Sequence, residues 1–217
     1  MSSLDHIYRA RFDDRRRAQK AAIWRVLARY LQRYIATDKP ALDVACDSGD
    51  FIRNVEASER WATDVRDVSA GLPPDVRFVQ ADGLELASHL PAGHFGTVLI
   101  SNYLEHLPNG EAVIEQLRVV RALLAVDGQV VIVQPNIRLV GGRYWDFVDH
   151  HVALTERSLE EAANAAGLRT TKLVTRFLPY TTSSRVPRHP LLVRLYLAIP
   201  LAWWLLGKQT LYVGRRA

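Results

Sequence analysis

Apolar residues Ile23, Trp24, Val26, Leu27, Tyr30, Leu31 and Tyr34 recur at helical spacing between about Arg16 and Ile35, which predicts a helix lying against a core. The pattern then changes to short apolar runs. Ala41 to Ala45 reads as a buried strand leaving through a Ser/Gly/Asp turn into a helix start. Trp61 to Val65, Val76 to Val79 and Phe95 to Ile100 read as three more strands. Glu111 to Leu124 is helical, with Val113, Ile114, Leu117, Val120 and Leu124 as its stripe, and Gly128 is expected to close it before a fifth strand at Val130 to Val133. Thr155 is the expected N-cap of a further helix that stops at Gly167. Strands alternating with helices imply a parallel sheet covered on both faces. The ending differs: Thr170 to Leu178 and Gln209 to Gly214 both read as strands, and between them Pro190 to Leu206 is strongly apolar, interrupted by Arg194 and Pro200.

An open parallel sheet binds ligands beyond the carboxyl ends of its strands, at the switch in strand order. The first strand exits through Asp43-Val44-Ala45-Cys46-Asp47-Ser48-Gly49-Asp50, and Asp64 ends the second strand. A carboxylate there is placed to accept hydrogen bonds from both hydroxyls of a ribose. Asp43, Asp47 and Asp50 would oppose a pyrophosphate, which disfavours a dinucleotide. They suit a nucleoside carrying a sulfonium and an ammonium.

These segments resemble motifs of class I S-adenosyl-L-methionine-dependent methyltransferases. Ala41 to Gly49 resembles the glycine-rich motif I, and Asp64 the acidic ribose ligand. Ala81-Asp82-Gly83 resembles the adenine-side turn, Ile100 to Leu107 the segment after strand four, and Ala125 to Gln129 the turn before strand five. The resemblance spans about Ala41 to Gly167. It implies a three-layer, Rossmann-like α/β fold with a mostly parallel seven-stranded sheet and an antiparallel last strand. The expected layout is one methyltransferase-like domain over 1–217: an N-terminal helical lid segment at 1–37, a core at 41–178, an apolar helical insertion at 180–207 and the last strand at 209–214. It implies S-adenosyl-L-methionine held by Asp43, Ala45, Asp47, Gly49, Asp64, Asp82, Gly83, Ser101 and Asn102. Ala45 and Asp47 stand where the family usually has glycine, and Gly96 where strand four often has aspartate. Asp47 is expected to obstruct the loop, because glycine there supplies space or unusual backbone angles. That departure keeps two rivals open: a methyltransferase-like protein catalysing a different reaction, and a silent binding protein.

More narrowly, Gln134 to Arg138, Tyr144 to His151 and Leu178 to Thr182 resemble a subgroup associated with bacterial polysaccharide and cell-envelope glycan biosynthesis. The implied reaction is O-methylation of a small-molecule, sugar or glycan-linked acceptor. His106, His150 and His151 are the candidate bases, since imidazole titrates near neutral pH, and Asp149 is placed to orient an imidazole. Asn136, Arg138, Tyr144, Trp145 and Tyr180 are the expected acceptor contacts. No metal is expected, because adjacent histidines point in different directions. Tyr8, Arg11 and Phe12 belong to the expected lid.

Composition adds little. The chain of 217 residues has a net charge of +5. Arg15 to Arg17 follow Asp13 and Asp14, so that run reads as a solvated helix face, and no nucleic-acid partner is expected. The carboxy-terminal cations Arg185, Arg188, Arg194, Lys208, Arg215 and Arg216 fit an anionic membrane surface or an anionic glycan. Residues 190–207 are too short and interrupted to span a bilayer. With Trp203 and Trp204 beside Lys208, they suit peripheral membrane contact at the inner face; packing on the core or in a homodimer is the other reading. The single Cys46 and the absence of an apolar leader predict a cytoplasmic protein.

Overall fold

The computed structural model describes residues 14–180 and 189–217. Tyr8, Arg11 and Phe12 of the expected lid, and Thr181, Thr182, Arg185 and Arg188, lie outside the described residues. Helix α1 (Asp14–Leu31) leads into β1 (Ala41–Val44), β2 (Arg60–Asp64) and β3 (Val76–Gln80). Then follow α2 (Leu86–His89), β4 (Phe95–Ser101), α3 (Gly110–Leu123) and β5 (Leu124–Pro135). The chain continues through α4 (Ile137–Val140), α5 (Glu156–Ala165), β6 (Leu168–Leu178), α6 (Pro190–Ala198), α7 (Pro200–Leu206) and β7 (Gln209–Arg216). Seven strands form one sheet in the order β3-β2-β1-β4-β5-β7-β6. Neighbours from β3 to β5 are parallel, while β7 runs antiparallel to both β5 and β6. This is the expected Rossmann-like architecture.

The two-fold alternation of strand side chains explains why the central strands read as unbroken apolar runs. Leu42, Val44, Val98, Ile100, Val130 and Ile132 join one buried cluster, with Leu117 of α3 and Leu159 of α5. The intervening Ala41, Leu99, Val131 and Val133 join another on the opposite face, with Leu27 and Leu31 of α1. Both faces are therefore covered, and polar chemistry is confined to the strand ends. Asp43, between Leu42 and Val44, takes the α1 face by this alternation.

The helix signals were accurate where capping is local. Thr155 and Ser158 form a reciprocal capping box at the start of α5, and Gly167 after it has φ 77°, the left-handed angle glycine tolerates. Asn109 caps α3 by accepting from the Ala112 N–H at 2.9 Å.

Three expectations need correction. Helix α3 already ends at Leu123, and Gly128 lies inside β5, where an added Cβ would stand 2.6 Å from the Phe95 carbonyl oxygen. Close backbone approach, rather than a helix stop, requires glycine there. The turn after β1 opens no α-helix; it leads to a single 3-10 turn at Ile52–Asn54. The apolar insertion is two short helices, broken where Ile199 is extended before Pro200. Among the described residues no helix is long and apolar enough to cross a membrane.

Replacing Thr155 with alanine removes the side-chain half of the capping box. It is expected to cost about 1 kcal/mol and to lower the thermal midpoint by about 2–4 °C, read by calorimetry against the parent chain.

Candidate functional site

The chain winds outward from β1 to β3, then returns to the other side of β1 with β4. The switch point therefore lies where β1 and β4 end, side by side. Backbone conformation marks the same place. Ala45, Asp47 and Asn102 have φ of 54°, 50° and 50°, and they are the non-glycine residues with positive φ among those described. Each such angle costs on the order of 1 kcal/mol. All three lie at the carboxyl edge of the sheet, at the ends of β1 and β4. Asp47 adopts the left-handed angle that glycine would supply, and its side chain is ion-paired with Lys20 and Arg66.

Asp64, at the end of β2, is buried and fully engaged. Its Oδ1 accepts from the Arg66 N–H at 3.0 Å and from Arg66 Nε at 3.1 Å. Its Oδ2 accepts from the Asp47 N–H at 3.0 Å and from the guanidinium at 3.2 Å. The same guanidinium reaches Asp47 Oδ1 at 2.9 Å, and Lys20 of α1 holds Asp47 Oδ2 at 2.5 Å. Lys20, Asp47, Arg66 and Asp64 thus form a continuous ionic chain from α1 across the turn to β2. Burial works against the Asp47 carboxylate, but Lys20 and Arg66 outweigh it and lower its pKa. Burial likewise opposes the Arg66 charge, and the hydrogen bonds to Asp64 and Asp47 overcome it.

Asp43 differs. Its carboxyl is buried and accepts from the Ile52 backbone N–H, and burial pushes its pKa up to about 8 despite the charge on Lys20. Cys46 beside it is buried, and burial together with Asp43, Asp64 and Asp47 raises its pKa, so it is an inert thiol. Val65, directly after Asp64, is an exposed apolar residue at the same edge.

A second group lies beyond β4 and β5. His106 Nδ1 donates to the Asp149 carbonyl oxygen at 2.8 Å. The Asp149 carboxylate is 3.5 Å from the same ring nitrogen. The His150 ring meets His106 edge-on at 5.1 Å and also packs on Tyr144 and Phe147. Under them is Glu105, fully buried, with its pKa raised by burial; Gln134 donates to it at 2.9 Å. Its carbonyl accepts from the His151 and Val152 N–H groups, tying this segment to the loop that carries the histidines. One ligand-type atom each of Glu105, His106 and His150 lies within 4.8 Å of the others.

The structure thus brings together His106, Asp149 and His150, and leaves the His151 side chain exposed. Ser101 and Asn102 sit at the end of β4, their side chains bonded to one another at 3.1 Å. Gly49 has φ 65°. Asp82 caps the turn after β3 by accepting from the Leu84 N–H, and Gly83 is buried where an added Cβ would stand 2.2 Å from the Tyr103 hydroxyl. Asn136 is spent internally: it donates to Glu156 at 2.7 Å and to Thr210 at 3.1 Å, and accepts from the Arg138 N–H. Tyr144 is buried with its hydroxyl on the Val152 carbonyl, and Tyr180 is buried with it. Arg138 and Trp145 are exposed. Sequence reading missed Lys20, Arg66 and Glu105. Arg66, two residues past an acidic strand end, was the available signal, as was the carboxylate preceding His106.

Comparison with known proteins agrees with the fold. Among curated proteins none matches the sequence. The solved structures it resembles include a SAM-dependent methyltransferase from Archaeoglobus fulgidus, at 17% identity and TM-score 0.62, covering 89% of this chain and 94% of that one. An S-adenosylmethionine-dependent methyltransferase from Mesorhizobium loti matches at 17% identity and TM-score 0.61, over 88% and 96%. The [4+2]-cyclase SpnF matches at 18% identity and TM-score 0.60, over 88% and 79%. The sequence pattern of a family described as a methyltransferase domain matches residues 14–173, most of the chain, and places this protein in that family.

Proposed function

We propose that the protein is an S-adenosyl-L-methionine-dependent O-methyltransferase acting on a sugar or glycan-type acceptor. The observation that carries this reading is the pair of buried carboxylates, Asp43 and Asp64, at the ends of β1 and β2 beside the switch point. Asp43, whose burial disfavours its charge, gains most from a cationic ligand, so the donor set fits a sulfonium nucleoside. Asp64 suits the ribose hydroxyls once Arg66 releases it, and Val65 offers an apolar face to adenine. Ala45, Asp47, Gly49, Asp82, Gly83, Ser101 and Asn102 complete the proposed cofactor wall.

Bound S-adenosyl-L-methionine supplies an electrophilic methyl group on sulfur. The chain's part is to orient it and to handle a proton. His106 Nε2 is the proposed base for the acceptor hydroxyl, because the Asp149 carbonyl fixes the proton on Nδ1. The Asp149 carboxylate then favours the imidazolium that forms. His150 is proposed to set the ring's position, and the exposed Trp145 to present its indole face to a sugar ring. Arg138 is a further acceptor contact; Asn136, Tyr144 and Tyr180 support the pocket wall from behind. A glycan acceptor of bacterial polysaccharide synthesis and a cytoplasmic setting fit the aromatic loop and the unpaired Cys46. The ionic chain that occupies Asp64 favours a second reading, in which the same pocket binds a ligand for a reaction other than methylation.

Calorimetric titration with adenosylhomocysteine tests the pocket. Asp64→Asn should weaken binding by about 10–100-fold and Arg66→Ala should tighten it by about ten-fold, each equivalent to a charged hydrogen bond. Failure of both the parent chain and Arg66→Ala to bind the nucleoside sinks the methyl-transfer reading. With an acceptor found by screening sugars and glycans, His106→Gln should lower kcat by about 10²–10⁴-fold while leaving nucleoside affinity unchanged.

Asp43 gives a pH signature. Folded, it holds a proton up to about pH 8, whereas unfolded it releases that proton near the ordinary 3.8. The stabilisation is complete at acid pH and is lost as pH rises through about 8. Asp43→Asn keeps the shape without the charge, so its melting temperature should overtake that of the parent increasingly between pH 5 and pH 9. Parallel curves would contradict the buried-acid assignment.

A further inference from the structure

Among the described residues, eight of the twelve exposed large apolar side chains fall between Leu191 and Leu206, on α6, α7 and the Ile199 between them. Leu201, Trp204 and Leu205 are 70%, 67% and 63% exposed, values foreign to a helix pair that packs both its faces. The inner face is firmly attached. Leu197 is buried, and Trp203 packs edge-on against Tyr30 of α1 and Phe177 of β6. Trp203 Nε1 donates to the Tyr196 carbonyl at 2.9 Å, and the Tyr196 hydroxyl donates to the Phe177 carbonyl at 2.8 Å. The two tryptophans expected to act alike are therefore separated: Trp203 is an anchor and Trp204 faces outward. The outer stripe is held in a fixed orientation and left uncovered by the described residues.

Charge identifies what suits this stripe. After Glu161 the chain has no Asp or Glu to its end at Ala217, but it has nine Lys and Arg. Of these nine, Arg176, Arg194 and Lys208 lie on or beside the insertion, whereas Arg169, Lys172, Arg215 and Arg216 lie toward the opposite edge of the sheet. Arg194 is exposed within the stripe's own helix. Lys208 follows α7, and burial together with the charges of Arg143 and Arg176 lowers its pKa, placing three cations at the base of the insertion. An interface between two copies would bring these like charges together. A surface of anionic headgroups over acyl chains accepts both the apolar stripe and its cations.

From this combination we infer that α6 and α7 dock the protein on an anionic lipid bilayer, with Leu201, Trp204 and Leu205 in the headgroup–acyl boundary and Arg194, Lys208 and Arg176 on lipid phosphates. The docking does not depend on methyl transfer.

Sedimentation with vesicles tests it. The parent chain should pellet with phosphatidylcholine vesicles that contain phosphatidylglycerol and stay in the supernatant with phosphatidylcholine alone, and raised salt should release it. The double variant L201E/W204E changes two exposed side chains, so its circular dichroism and melting temperature should be unchanged while its vesicle partitioning falls by about ten-fold or more. Equal pelleting on both vesicle types, or on neither, overturns the inference. So does a dimer in light scattering that L201E/W204E dissociates while the parent chain ignores vesicles, which would assign the stripe to a second copy.

Discussion

The structure turns on how two carboxylates are accommodated at the edge of a sheet buried on both faces. β1 is buried throughout and β2 from Ala62 to Asp64, and just past Asp64 the chain reaches the exposed Val65. Asp43 and Asp64 are placed at that transition and are both buried. A buried carboxylate must find a partner or lose its charge. Asp64 takes the first course through Arg66 and the Asp47 N–H, and Asp43 takes the second. One sheet edge therefore contains a paired acid and an unpaired one, twenty-one residues apart in sequence.

This arrangement explains how the loop persists without its usual glycines. Ala45 and Asp47 bear the strain of left-handed backbone, of order 1 kcal/mol each, and the local ion pairs offset it. A pair that is mostly buried contributes more than an exposed one, because less solvent screens it. The guanidinium of Arg66 serves both as a structural clamp and as a stand-in for ligand hydroxyls. On the proposed reading, a ribose at Asp64 would have to displace the Arg66 guanidinium, leaving the ion pair of Lys20 and Asp47 in place.

How much of this could be read from the chain alone depended on the range of the interactions concerned. The strands of the parallel core and the ends of α5 follow from local signals: apolar runs, a Thr155–Ser158 cap and a left-handed Gly167, whereas the reversed β7 followed only from the family resemblance. Gly128 was misassigned because a glycine that admits a neighbouring backbone looks, in sequence, like one that ends a helix. Asp43 and Asp64 were legible because strand ends are legible. Their different fates were not, since Lys20 lies in a helix distant in sequence and Arg66 becomes meaningful only when the turn folds back on it. The histidines show the same limit: His150 and His151 are neighbours in sequence, but only His150 joins His106, across 44 residues of chain. Asn136 and Tyr144, read as acceptor contacts, are absorbed by hydrogen bonds within the core.

The reversal of β7 has a consequence for the position of the apolar helices. Because β6 runs in the direction of β1 to β5, it ends at the carboxyl edge of the sheet, and because β7 is antiparallel it begins there. Whatever connects them must emerge on that edge, beside the end of β5. The backbone confirms the constraint at its base: the Lys208 N–H donates to the Leu178 carbonyl at 2.7 Å, and the Asn136 N–H donates to the Lys208 carbonyl at 3.0 Å. An insertion at the opposite edge would leave a surface unrelated to the pocket. Placed here, the insertion leaves the sheet at the edge that also carries Asp43 and Asp64, and it folds back onto α1 and β6, where Trp203 meets Tyr30 and Phe177.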